Sequence, residues 1–125
     1  MRLLLDTHIL HWSFYERERL SQAALDRIAE AEAIFVSSAS IWEMSIKVRL
    51  GKMKGDPFEL VRLLGAAGFE ELPVWSRQAL LVSKLPMHHS DPFDRLLVAQ
   101  AITEPLHLLT MDSKLKPYSE LVIKV

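Results

Sequence analysis

At 125 residues, half of them hydrophobic and a quarter charged, the chain carries enough apolar content for one packed core, and a disordered tail is excluded. Fifteen basic against sixteen acidic residues leave a net charge of −1, so any nucleic-acid contact must come from a local patch rather than bulk charge. With no cysteine, disulfides, zinc–thiolate sites and thiol nucleophiles are excluded. The opening apolar run breaks at Asp6, too early for a signal peptide or a membrane span, so a single cytoplasmic domain over residues 1–125 is expected.

Met1–Leu5 is an apolar run with no solvated face, the pattern of a strand covered on both sides in a parallel sheet. It stops on Asp6, at the carboxyl end of the strand, where open α/β sheets place their working crevice. The same aspartate also suits the N-cap of the next segment, Thr7–Phe14, which reads as a short helix. Ser21 caps a second helix running from Gln22 to about Glu32, with Ala24, Leu25 and Ile28 on one stripe. Ala33–Val36 is the next strand, ended by Ser37 and Ser38. The helix after it carries Ile41, Met44, Ser45 and Val48 and is stopped by Gly51.

Asp56-Pro57 opens a further helix through Leu60, Val61, Leu63 and Leu64. Phe69–Val74 reads as a strand whose Glu70, Glu71 and Pro73 suit an edge. Ser76–Leu85 is predicted helical, and residues 86–90, with His88-His89, form a loop. Asp91-Pro92 starts the most apolar helix, Phe93 to about Thr103. Leu106–Thr110 is a strand that delivers Asp112, and Leu121–Val125 is the last strand. Strands alternating with helices give an α/β domain, with a short, mainly parallel sheet of about four to five strands flanked by helices.

Asp6 and Asp112 both end apolar runs, and Glu43 lies in the opening turns of the helix after the second strand, so all three reach one rim of a parallel sheet. Carboxylates gathered unpaired repel one another, and a hard divalent cation such as Mg²⁺ or Mn²⁺ relieves that. Each acid also has an ordinary structural use. Ser40–Glu43 fits a capping box, Asp112-Ser113 fits a turn, and Asp94 suits a helix N-terminus. Asp56–Leu60 echoes Asp91–Leu96, so local pattern alone does not separate Glu59 from Asp94. Adjacent residues seldom face one ion and no HExxH spacing is present, so His88-His89 is read as a solvated loop. Trp12, Trp42 and Trp75 are read as core or interface packing. The run Lys47, Arg49, Lys52 and Lys54 is the best local patch for a phosphate backbone, with Lys47 also able to pair with Glu43. No Gly-rich nucleotide loop and no serine-hydrolase elbow is present.

Four segments, Leu3–His8, Ser40–Glu43, Asp91–Ala101 and Leu109–Asp112, taken in this order across nearly the whole chain, resemble the PIN-domain family, and within it VapC-type toxins of type II toxin–antitoxin pairs. The resemblance implies an acidic quartet of Asp6, Glu43, Asp94 and Asp112 that binds Mg²⁺ or Mn²⁺, with Asp91 as a helix cap and Thr7 and Thr110 as supporting polar groups. It implies an endoribonuclease that hydrolyses RNA phosphodiester bonds by metal-activated water. It also implies a homodimer and a cognate antitoxin, for which Ile9–Phe14 and the helix around Trp42 offer apolar surface. Two other readings are a PIN-like module that binds RNA or protein without cleaving, and a receiver-like phospho-switch. The switch would need a second acid beside Asp6.

Overall fold

The computed structural model describes residues 1–125. Its centre is strand β1 (Arg2–Leu5), which pairs in parallel with a strand on each side. Leu3 and Leu5 point into one apolar cluster and Leu4 into another, and all three are wholly buried. That is why this run has no polar alternation: a strand covered on both faces has no side left for water.

The other strands are β2 (Ala33–Ser37), β3 (Glu70–Leu72), β4 (His107–Thr110) and β5 (Val122–Lys124), and the sheet runs β3-β2-β1-β4-β5, parallel throughout. β3, with its two glutamates, lies at one edge as its sequence predicts. The core that holds Leu3 and Leu5 is filled by α1 (Thr7–Tyr15), α2 (Gln22–Glu30), α3 (Ser38–Arg49) and α4 (Pro57–Ala66), through Ile9, Leu10, Ala24, Met44, Leu60 and Leu64. The opposite core packs Leu97, Val98 and Ala101 of α6 (Pro92–Thr103) against Leu4, Leu108 and Val122, with α5 (Ser76–Val82) laid beside α6. The chain therefore winds outward from β1 to β3, then crosses to build β4 and β5 on the other flank. This makes the carboxyl end of β1 the switch point where ligands collect in such sheets.

Three local expectations are corrected. α3 starts at Ser38, capped by Ser37, whose Oγ accepts from the Ala39 amide at 3.0 Å. Ser40 and Glu43 consequently form no capping box and are buried inside the helix. Ser37 ends β2 and caps α3 at once, so no loop separates them. α5 stops at Val82, because the carbonyls of Val82 and Pro86 are taken by the Arg95 guanidinium at 2.9 and 3.0 Å and the chain between them is turned. Finally, Ile9 and Leu10 are wholly buried and Trp12 and Phe14 pack against the same core, so Ile9–Phe14 does not offer the apolar surface expected of it. Trp42 and Trp75, by contrast, are 63% and 51% exposed, and Trp42 meets Phe93 edge-on at 5.2 Å.

Candidate active site

Asp6 is the residue immediately after β1, and both of its oxygens are engaged. Oδ1 caps α1 by accepting from the Ile9 amide at 2.9 Å, and Oδ2 accepts from the Thr110 hydroxyl at the end of β4. The cap and the crevice position are thus compatible, because they use different atoms of one carboxylate. Burial pushes the Asp6 carboxyl above its usual range and Glu43 adds to it, against the Ile9 and Thr110 hydrogen bonds and the attraction of His8.

Glu43 arrives from the second turn of α3 and is also buried. Its Oε2 accepts from Lys47 Nζ at 2.7 Å, while Oε1 is buried without a partner. Only one other buried side-chain polar atom, Gln100 Oε1, shares that condition. Asp94 comes from the first turn of α6, where Asp91 does the capping by accepting from the Phe93 and Asp94 amides at 2.8 and 3.1 Å. Burial, then Asp91, then Asp6 and Glu43 push Asp94 up to about 7, with His89 pulling the other way. Asp6 and Glu43 are therefore both near enough to act on Asp94.

Asp112 follows β4 and caps a short 3-10 turn (Ser113–Tyr118), its Oδ1 accepting from the Lys114 amide at 2.9 Å. Its own amide donates to Thr110 Oγ1 at 3.0 Å, so one threonine hydroxyl is bonded to both Asp6 and Asp112. Asp6 and Asp112 line one cleft of about 380 Å³ together with His8, Trp12 and Met111. Thr7, by contrast, touches none of the acids. It donates to Ser40 Oγ at 3.0 Å and ties α1 to α3.

The residue that sequence reasoning missed is His89. It is only 15% exposed, and its Nε2 lies 3.0 Å from Asp94 Oδ2 and 3.2 Å from Asp112 Oδ2. His89, Asp94 and Asp112 each offer a ligand atom, all within 4.8 Å of one another. The objection that neighbouring residues seldom share an ion holds for the pair, since His88 is exposed and packs edge-on against Tyr118. It did not exclude one of the two turning inward.

The basic run divides. Lys47 is committed to Glu43, and Arg49 lines a different cavity beside Phe58. Lys52 and Lys54 line a cleft of about 420 Å³ that shares His8 and Trp12 with the acidic one, opposite Arg19. Their loop is pinned to α1, with His11 Nε2 2.7 Å from the Lys54 carbonyl oxygen. Gly55 has φ of +114° and lies where a Cβ would come 2.7 Å from the Tyr15 ring. Only glycine fits there.

The donor set suits a hard divalent ion. Carboxylate oxygens dominate, one buried oxygen has no protein partner, and burial with repulsion from its acidic neighbours already raises Asp94. An added cation would relieve both conditions at once.

The family model for the PIN domain matches residues 3–121. Ribonuclease VapC22 of Mycobacterium tuberculosis is 29% identical over 125 residues, covering 93% of this chain and 91% of that protein. Among solved structures, VapBC2 from Rickettsia felis bound to a promoter DNA fragment superposes with a TM-score of 0.74 at 19% identity, covering 100% of this chain and 98% of that one. A toxin–antitoxin complex from Klebsiella pneumoniae follows at 0.70 and 19%, covering 98% and 96%.

Proposed function

This chain belongs to the PIN-domain family, and from that premise we propose that it is a divalent-metal-dependent endoribonuclease, the toxin of a toxin–antitoxin pair. The observation that carries the reading is the unsatisfied charge of the crevice, where burial and then its acidic neighbours raise Asp94 to about 7 and Glu43 Oε1 is buried without a partner. The name of the mycobacterial relative supports RNA as substrate, and the solved complexes support an antitoxin as partner.

Asp6, Glu43, Asp94 and Asp112 would hold Mg²⁺ or Mn²⁺ on their carboxylate oxygens. The chemistry such an ion supplies is polarisation of a phosphodiester and acidification of a water. Around it, the chain's own residues have separate tasks. Glu43 Oε1 is the free acceptor for a proton from the attacking water, Lys47 having taken Oε2. Thr110 fixes Asp6 and Asp112 in register. Lys52 and Lys54 flank the adjoining cleft, where Arg19 is paired with Glu16, and attract a polyanion that the net charge of −1 would not. Partner contacts fall to the exposed apolar side chains. α3 and α4 present Trp42 and Phe58 to an antitoxin, and α5 presents Leu80 with the adjacent Trp75 to a second copy of the chain.

The test is cleavage of a defined RNA by the purified chain with Mg²⁺ or Mn²⁺. Asp94→Asn and Asp6→Asn are each expected to lower the rate by about 100-fold or more, chelation is expected to abolish it, and the products carry 5′-phosphates. Undiminished cleavage by both variants would refute the reading. Divalent-ion binding with no cleavage of any RNA would instead mark a binding module.

A further inference from the structure

The ring of His89 sits between two of the four acids, and its surroundings fix which way its protons point. The Ser90 amide donates to Nδ1 at 3.1 Å, so that nitrogen is an acceptor and Nε2 carries the hydrogen. Nε2–H then donates to Asp94 Oδ2 at 3.0 Å, with Asp112 Oδ2 3.2 Å from the same nitrogen. We propose that His89 is a positioning residue: its Nε2 hydrogen-bonds one oxygen of Asp94 and lies against one oxygen of Asp112, and so holds the two aspartates together facing the ion. The inference rests on the ion-binding reading above.

The loop is built to deliver that ring. Arg95, buried in α6, donates to the carbonyls of Val82 and Pro86 and, at 3.0 Å, to the Tyr118 hydroxyl. The same hydroxyl accepts from the His89 amide at 2.9 Å. Tyr118 ends the 3-10 turn that Asp112 begins, so loop, helix and turn meet at one phenol. Asp112 needs such a restraint. Its side chain is 36% exposed and stands beside a second carboxyl group, and without the imidazole hydration draws it outward. Groups that hydrogen-bond an ion's ligands without touching the ion typically govern affinity by 10- to 100-fold.

Mn²⁺ is the probe, used with the full chain, His89→Ala and His89→Gln, the glutamine offering an amide N–H near the position of Nε2. Calorimetry is expected to show Mn²⁺ binding weakened about tenfold or more in His89→Ala and largely recovered in His89→Gln. Electron spin-echo spectra of bound Mn²⁺ are expected to show no imidazole nitrogen coupling in the wild-type chain. With RNA, kcat falls in His89→Ala while KM holds. Wild-type affinity in His89→Ala overturns the inference alone, as does nitrogen coupling that disappears with His89, which would make the ring a ligand. Failure of the wild-type chain to bind Mn²⁺ overturns the ion-binding reading itself and the inference with it.

Discussion

Asp94 carries the most testable consequence of the crowding. Its folded pKa, about 7, lies above that of an ordinary aspartate, so the folded chain holds a proton that the unfolded chain has already released. Stability from this group is fully present below the unfolded value and is lost as pH rises through about 7. Denaturation in chelator should therefore show stability falling between about pH 4 and pH 7. In Asp94→Asn that fall should flatten, leaving the variant more stable than the wild type at alkaline pH by on the order of 2 kcal/mol. A wild-type profile that rises over this interval would contradict it. Ion binding must expel the same proton, so Mn²⁺ affinity should climb with pH up to about 7 and then level.

The elements were largely legible, and the exceptions have physical causes. Four strands announce themselves, since apolar runs bounded by turn residues survive any tertiary context, and β3 declares its edge by its glutamates. The start of α3 did not, because Ser37, Ser38 and Ser40 are equally good caps by chemistry, and only the end of β2 decides among them. Asp94 and Glu59 share a local pattern. What separates them is that α6 begins beside the ends of β1 and β4, whereas Glu59 lies exposed on α4, a matter of topology that no window of residues contains. His89 was hidden for a related reason: its position is fixed by Arg95 and Tyr118, the latter 29 residues away. Arg95→Leu should cost about 3 kcal/mol in urea unfolding by removing the buried guanidinium's hydrogen bonds to the Val82 and Pro86 carbonyls and the Tyr118 hydroxyl. By freeing the Tyr118 hydroxyl that the His88 and His89 amides bond, it should also speed exchange at those two amides, and an unchanged exchange rate there would show that the loop holds itself.

For the molecule as a whole, balanced charge is separated in space. Acids line the crevice at the switch point, and Arg19, Lys52 and Lys54 line its neighbour, with Trp12 and His8 as the shared wall. No helix is long and apolar enough to cross a membrane. If RNA runs from one cleft into the other, replacing Lys52 and Lys54 together by alanine should weaken binding to cleavage-inactive Asp94→Asn and reduce its salt dependence. The expected change is about 1.4 in the slope of log K against log salt for a single strand. An unaltered slope would move the path elsewhere.

The connection between Thr110 and Asp6 joins residues 104 apart in sequence, and β1 lies between β2, which the chain supplies soon after it, and β4, which comes near the end. Contacts of that span form slowly and late. A ribosome that has translated most of this message thus holds a chain whose first strand waits for its partner and whose crevice has only part of its wall. Under the proposed function, a destructive enzyme is inert for as long as it is being made, and a truncated product lacking β4 is harmless to the RNA that encodes it.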